Sequence, residues 1–324
     1  VSWRKNKFYP NSAQQKDLSL PVMLRIAHII NPFQAPAGSH LAIAQPITFE
    51  SMRAAQRFAH KTDVQLYAAC FEEDKPAVPE GFTLLPFLKS SVLDKGKFAV
   101  QKKLPFIREI IEQLYNNTDA EYLVYTNVDI ALMPQFYASV DQLVSEGYDA
   151  LLINRRGISA NYTSVDELPK MYAEIGVPHP GFDCFVFKRE LVNKMILGDV
   201  CIGVPFAEVT LLHNLIAFAN NLKLVDDGHL TFHIGTEVMP PRDKDYYLYN
   251  RNEYEKKIYP QLKPHLDTAK FPYAESAWYK RIIKWAINPS FRTHQVLEME
   301  GKGFWRKLKF TIDGYRWRLL ERWR

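Results

Sequence analysis

Cysteine is almost missing. Only Cys70, Cys184 and Cys201 occur in 324 residues. Their spacing matches no metal-ligand set, and a scattered, odd-numbered trio makes no disulfide framework, so a small stapled fold is excluded and a reducing compartment is expected. Whether Cys184 and Cys201 pair stays open at this level. Long apolar runs are lacking too. No run of about 18 apolar residues occurs, which excludes a hydrophobic membrane-spanning helix. No secretory signal pattern is present, so the sequons at Asn116 and Asn161 carry no weight unless the chain is secreted. The chain opens on Val1 rather than Met, which leaves room for an upstream segment. Glycine is sparse, and the loop Asn31–His40 after the first apolar run holds only Gly38 and neither Lys nor Arg. A basic, glycine-rich phosphate loop is therefore absent there. Neither charge sign dominates: 41 Lys and Arg face 36 Asp and Glu, a formal +5. No internal repeat is found.

What is present is a core-sized supply of apolar residues, 47% of the chain, ample for one large domain with an appendage or for two domains. Apolar, β-rich runs at Leu24–Ile30, Val64–Phe71, Phe82–Leu88, Tyr122–Tyr125 and Asp149–Asn154 alternate with helical periodicity at Pro46–His60, Leu104–Tyr115 and Gln135–Glu146. That alternation predicts an α/β fold with a mostly parallel sheet and right-handed crossovers. Farther on, His179–Asp183 reads as a turn running into an apolar strand through Phe187. A long helix is expected at Ala207–Asn220, a strand at Leu222–Val225, and an alternating strand over His229–Gly235. The tyrosine-rich stretch Met239–Tyr259 suits either a sugar-stacking lid or a wrap over the core.

The stretch Tyr122–Asp129, YLVYTNVD, carries the most chemistry. A buried strand ends there, and residues two apart point the same way, so Asn127 and Asp129 leave the strand together. In an open α/β sheet the carboxyl ends of strands are where ligands bind. A hard divalent cation carrying a diphosphate needs one or two carboxylates, since the phosphates supply most other oxygens. A turn that caps the next helix is the plainer reading of the same residues. Lys102 and Lys103 precede the expected helix at Leu104, where the dipole disfavours cations unless an anion is near. Glu208 falls in the first turn of its helix, where the dipole stabilises a carboxylate whatever its role.

Asn127-Val128-Asp129 resembles the Asp-X-Asp region of GT-A-fold, nucleotide-sugar-dependent glycosyltransferases, as a variant with Asn in the first position. The ending His233-Ile234-Gly235 resembles the late histidine motif of many members. The resemblance covers about residues 22–236. It implies a Rossmann-type, GT-A-like fold and transfer of a sugar from a nucleotide-diphosphate sugar to a hydroxyl on a glycan or lipid-linked glycan, as in polysaccharide biosynthesis. It implies Mn²⁺ or Mg²⁺ at Asp129 and His233. Donor contacts are implied at Asn31, Lys103, Asn127, Asp129 and Arg155. An acceptor contact is implied at His179, and catalytic carboxylates at Glu208 and Asp183, the latter equally suited to satisfying turn amides. Asn127 in place of a carboxylate makes metal dependence less secure than the fold. It also keeps a non-catalytic glycan- or partner-binding protein in view. A nucleotidyltransferase is disfavoured by the poor phosphate loop described above.

The division expected is a loose arm over 1–20, a catalytic domain over 21–265, and a basic, aromatic, helical tail over 266–324. Residues 270–324 hold 13 Lys and Arg against 5 Asp and Glu, and five of the six tryptophans. Helices are expected at Ser276–Ile287 and Gly303–Arg324, with Trp278, Ile282 and Trp285 on one stripe. Such a tail suits an anionic membrane surface, packing on the domain, or an oligomer interface. No nucleic-acid recognition motif accompanies the charge, so no nucleic-acid partner is expected. A cytoplasmic location follows, at the inner face of a membrane if the tail engages lipid.

Overall fold

The computed structural model describes residues 23–226, 228–235 and 243–287. The expected arm over 1–20, the stretch from Met239 to Pro241, Asp227 in its turn, and the second tail helix Gly303–Arg324 lie outside the described residues.

The first core strand, β1 (Leu24–Ile30), leads into α1 (His40–Phe58), then β2 (Thr62–Ala68) and the short β3 (Thr83–Leu84). The helix begins six residues before the proline that reads as its opening. Ser39 caps it by accepting from the Ala42 amide at 3.3 Å. Pro46 sits inside α1 on its exposed face, where water can serve the carbonyl that proline leaves without a donor. The run Phe82–Leu88 gives only the two-residue β3, because Pro86 removes a ladder donor.

Next come α2 (Ile107–Asn117), β4 (Tyr122–Thr126), β5 (Ala131–Leu132) and α3 (Phe136–Ser145). The second helix starts three residues later than its periodicity suggests. Pro105 and Phe106 are bridged to Ser91 and Cys201 as extended chain. Lys102 and Lys103 therefore do not flank a helix N-terminus, which corrects that expectation.

The second half contains β6 (Ala150–Ile158), α4 (Leu168–Ala173), β7 (Val177–Lys188), α5 (Ala207–Phe218), β8 (Leu222–Val225), β9 (Thr231–Ile234), α6 (Lys244–Glu253), α7 (Tyr259–Leu262) and α8 (Trp278–Ile287). His179–Asp183 lies within β7 rather than in a turn. Arg155–Gly157 likewise belongs to β6. The alternation expected over 229–235 holds only from Thr231, since His229 adopts a positive φ of 43°.

The sheet order is β3-β2-β1-β4-β7-β6-β9-β5, with β8 pairing β6. It is mixed. β1, β2, β3 and β4 run parallel, as do β6, β8 and β9, while β7 is antiparallel to both β4 and β6, and β5 to β9. The chain moves outward from β1 to β3, then returns to place β4 on the other side of β1. Such a reversal of strand order marks the usual ligand position in open α/β sheets. Two apolar layers cover the sheet. One includes Ile110, Ile111, Leu211, Leu215 and Trp285. The other includes Phe49, Met52, Phe136 and Val140. All three cysteines are free and buried, so Cys184 and Cys201 do not pair.

The tyrosine-rich stretch wraps the core where it is described, with Tyr246 and Tyr254 fully buried. The first tail helix also docks. Trp285 is buried, donates from Nε1 to the Pro272 carbonyl at 2.6 Å and meets the Phe271 ring edge-on. No helix among the described residues is long and apolar enough to cross a membrane.

Candidate functional site

Four elements bring their ends together around Asp129. The loop after β4 supplies Asn127 and Asp129, β9 supplies His233, β6 supplies Arg155, and the first turn of α5 supplies Glu208.

Asp129 and His233 face each other, with Oδ2 and Nε2 3.5 Å apart. The imidazole is oriented from behind. Its Nδ1–H donates to the Gly235 carbonyl at 3.1 Å, which leaves Nε2 of the neutral ring as a lone pair turned towards the carboxylate. Gly235 reaches back this way because it takes φ +82°, a region glycine enters without strain. His40 stacks on His233 with centroids 5.2 Å apart, and its own Nε2–H donates to the Ile234 carbonyl at 2.9 Å. Burial alone would raise the Asp129 carboxyl. When Nε2 carries a proton as well, the hydrogen bond and charge of His233, together with the Arg155 guanidinium, outweigh that and hold it below the usual carboxylate range. The Asp129 side chain stays 26% exposed, open to a ligand.

Arg155 owes its direction to a bulge. The β6–β7 register shifts on both sides of Asn154, and such a bulge re-aims neighbouring side chains. Asn154 absorbs the disrupted ladder by donating from Nδ2 to the carbonyls of His179 and Asp226. Arg155 then forms a buried ion pair with Asp183 at 2.8 Å. The second Asp183 oxygen lies 3.6 Å from His179 Nδ1, which itself accepts the Gly181 amide.

Asn127 is engaged at both ends. Its oxygen accepts the Tyr125 hydroxyl at 2.8 Å, and its amide donates to Glu208 at 3.2 Å. Burial and the nearby Glu208 and Asp129 charges push the Tyr125 phenol well above its ordinary value, so it remains a donor. Glu208 is placed by a constrained entry into α5. Phe206 takes a left-handed φ of 94°, a conformation costing about 1–3 kcal/mol for such a residue. Its ring is buried against Tyr247 and Tyr254. Asn250 of α6 clamps the preceding loop through the carbonyls of Cys201, Val204 and Pro205 and the amide of Cys201.

Thus Asn127, Asp129, Arg155, His179, Asp183, Glu208 and His233 form one connected group. Asn31 and Lys103 belong to a second one, at the ends of β1 and β2. Asn31 donates to the Ala69 carbonyl at 2.6 Å. Lys103 pairs with Glu73 at 2.5 Å and lies over the Phe71 ring. Beside His179 opens a cavity of about 290 Å³, also lined by Asn154, Asp226, Pro272 and Tyr273.

Tyr125, His40 and Asn154 are not among the site residues expected from the sequence. His40 offers no local signal, because the contact that matters is with a residue far along the chain. Tyr125 sits two residues before Asn127 and shares its face, so the alternation rule could have found it.

The donor set suits a divalent cation on a diphosphate. Asp129 gives a carboxylate, and His233 gives a lone pair whose other nitrogen is satisfied, the arrangement metal-binding histidines adopt. No group of three or more His, Cys, Asp or Glu that could hold an ion alone occurs among the described residues; a bound diphosphate would supply further oxygens.

No family model matches the chain, and no curated protein matches it. Solved structures do resemble it. S. aureus TarS 1-349 in complex with UDP-GlcNAc is 9% identical with a TM-score of 0.40, over 81% of each chain. Mannosyltransferase PcManGT from Pyrobaculum calidifontis, in complex with GDP-Man and Mn²⁺, is 14% identical with a TM-score of 0.41, over 90% of this chain and 80% of that one. The 4-diphosphocytidyl-2C-methyl-D-erythritol synthase of Anaerococcus prevotii is 8% identical with a TM-score of 0.38, over 70% of this chain and 97% of that one. The likeness is one of architecture and assigns no chemistry. The structural neighbours of this mixed α/β chain include GT-A nucleotide-sugar glycosyltransferases, at low sequence identity.

Proposed function

We propose that the protein transfers a glycosyl group from a nucleotide-diphosphate sugar to a hydroxyl of a glycan or lipid-linked glycan. The observation that carries this reading is the Asp129–His233 pair, 3.5 Å apart at the carboxyl edge of the sheet, with the imidazole held so that its free nitrogen faces the carboxylate.

Departure of a nucleoside diphosphate develops negative charge that must be stabilised. Asp129 and His233 are the residues that hold Mn²⁺ or Mg²⁺ in this scheme, and a bound ion supplies Lewis acidity to the diphosphate. Arg155 adds a fixed positive charge, kept in place by Asp183. Asn127 anchors the loop that carries Asp129. Asn31 and Lys103, at the ends of β1 and β2, are assigned to the nucleoside side of the donor. Glu208 is assigned as the proton acceptor for the incoming hydroxyl, since one oxygen of Asp183 is already bound by Arg155. His179 and the cavity beside it are assigned to the acceptor.

Titration calorimetry with a panel of nucleotide sugars, with and without Mn²⁺, tests the reading. At least one donor is expected to bind, more tightly with Mn²⁺, and Asp129→Ala is expected to abolish the metal effect without unfolding the chain. Donor affinity that is absent across the panel, or untouched by Asp129→Ala, overturns it. A second reading is a glycan- or partner-binding protein on the same fold. It is favoured by Asn127, whose amide oxygen is already engaged by Tyr125. Slow donor hydrolysis on long incubation would exclude it.

A further inference from the structure

We propose that the outer face of α8 is a docking surface for an anionic membrane. Of the stripe Trp278, Ile282 and Trp285 suggested by the sequence, only the last two residues are covered. Trp285 is fully buried and Ile282 packs on the core, so these two fasten the helix to the domain.

Apolar exposure collects at the start of the helix, where Trp278 projects beyond the covered part of that stripe, and along the adjoining flank. Trp278 is 68% exposed, Tyr279 50% and Ile283 54%. Three of the nine exposed large apolar side chains among the described residues therefore fall within two turns of one helix. Lone exposed apolar residues are ordinary, whereas a cluster on one face needs an occupant. Lys280 and Lys284 alternate with these residues and are exposed. Aromatic and aliphatic side chains interleaved with lysine are what an interfacial helix presents to acidic headgroups.

Charge selects among the occupants. A second copy meeting this face symmetrically would bring lysines against lysines. The following segment, 288–324, carries nine Lys and Arg against four Asp and Glu, a net charge of the sign that an anionic surface attracts and that does not complement the lysines of α8. The helix is also fixed relative to the cavity beside His179. Lys284 lies 4.3 Å over the ring of Tyr273, which lines that cavity. A chain docked through α8 holds the cavity next to the headgroups, where a lipid-linked hydroxyl is carried. That last consequence rests on the transferase reading; the membrane contact does not.

Co-sedimentation of the full chain with phosphatidylglycerol-containing and pure phosphatidylcholine vesicles tests the proposal. Binding is expected to the anionic vesicles only and to weaken with salt. Each lysine removed is expected to lower the partition coefficient about fivefold, so Lys280→Gln with Lys284→Gln lowers it about 25-fold. Trp278→Ser with Tyr279→Ser and Ile283→Ser should release the chain, near-UV circular dichroism staying native. In the wild type, quenching by brominated lipid should fall on Trp278→Phe. The proposal is overturned if the wild type ignores anionic vesicles, if the lysine and serine variants bind as it does, or if the serine variant turns a dimer into a monomer in light scattering.

Discussion

The amide of Asn127 donates to the carboxylate of Glu208 at 3.2 Å, tying the loop after β4 to the first turn of α5. The contact gives Asn127 a reason to be neutral. An aspartate there would set two carboxylates against each other in a half-buried site. Asn127→Asp is expected to destabilise the fold, and Glu208→Gln in the same chain should recover most of the loss. A double-mutant cycle by thermal melting should return a coupling of about 0.5–3 kcal/mol; additive effects would mean that the contact is idle.

Arg155 and Asp183 form a buried pair. Arg155→Met leaves the Asp183 charge unbalanced inside the protein and should cost about 3–5 kcal/mol. Asp183→Asn should cost less, because Asp129 still offsets the guanidinium. Urea unfolding separates the two, with midpoints shifting in that order.

His40 touches the candidate metal pair only through the face of His233. It is a positioning residue. His40→Ala should weaken Mn²⁺ affinity about 10- to 100-fold, the usual effect of losing a supporting partner, while leaving the melting temperature without Mn²⁺ nearly unchanged. Manganese titration followed by electron paramagnetic resonance reads it directly.

His28 is fully buried between the Tyr137 hydroxyl at 2.8 Å and the Thr126 hydroxyl at 2.9 Å. Burial pushes its imidazole from 6.5 down to about 3. The folded chain therefore keeps it neutral at pH values where the unfolded chain protonates it. This contribution to stability is complete above about pH 6.5 and is lost progressively as pH falls towards 3. The slope is about 1.4 kcal/mol per pH unit, or up to about 5 kcal/mol across the window. His28→Gln should flatten that part of the profile relative to the wild type in urea titrations at stepped pH. Parallel slopes would mean that the imidazole is not held neutral.

How far the sequence reaches can be judged strand by strand. Leu24–Ile30 and Leu222–Val225 are found where the apolar runs place them. A short, mostly apolar run bounded by polar residues is a local signal, and the buried part of Leu24–Ile30 leaves little else for it to become. The helix starts are less legible. Pro46 carries a local preference for a first turn, yet the cap at Ser39 and the packing of Ala44, Ile47 and Met52 extend α1 around it. At residues 104–106, helical periodicity loses to two bridges whose partners are Ser91 and Cys201.

The sequence alone determined the alternation of buried strands and amphipathic helices, and with it the strand end at which Asn127 and Asp129 emerge, because side-chain period and strand length are set by neighbours along the chain. Only the tertiary structure decided which groups meet there. The bulge that turns Arg155 onto Asp183 depends on the opposing strand β7. The left-handed Phe206 that places Glu208 depends on rings from α6 and the π-helical turn after it. His233 reaches Asp129 through the pairing of β9 with β5 and β6. Each of these contacts closes a long loop, and its energy comes from residues that no local window contains.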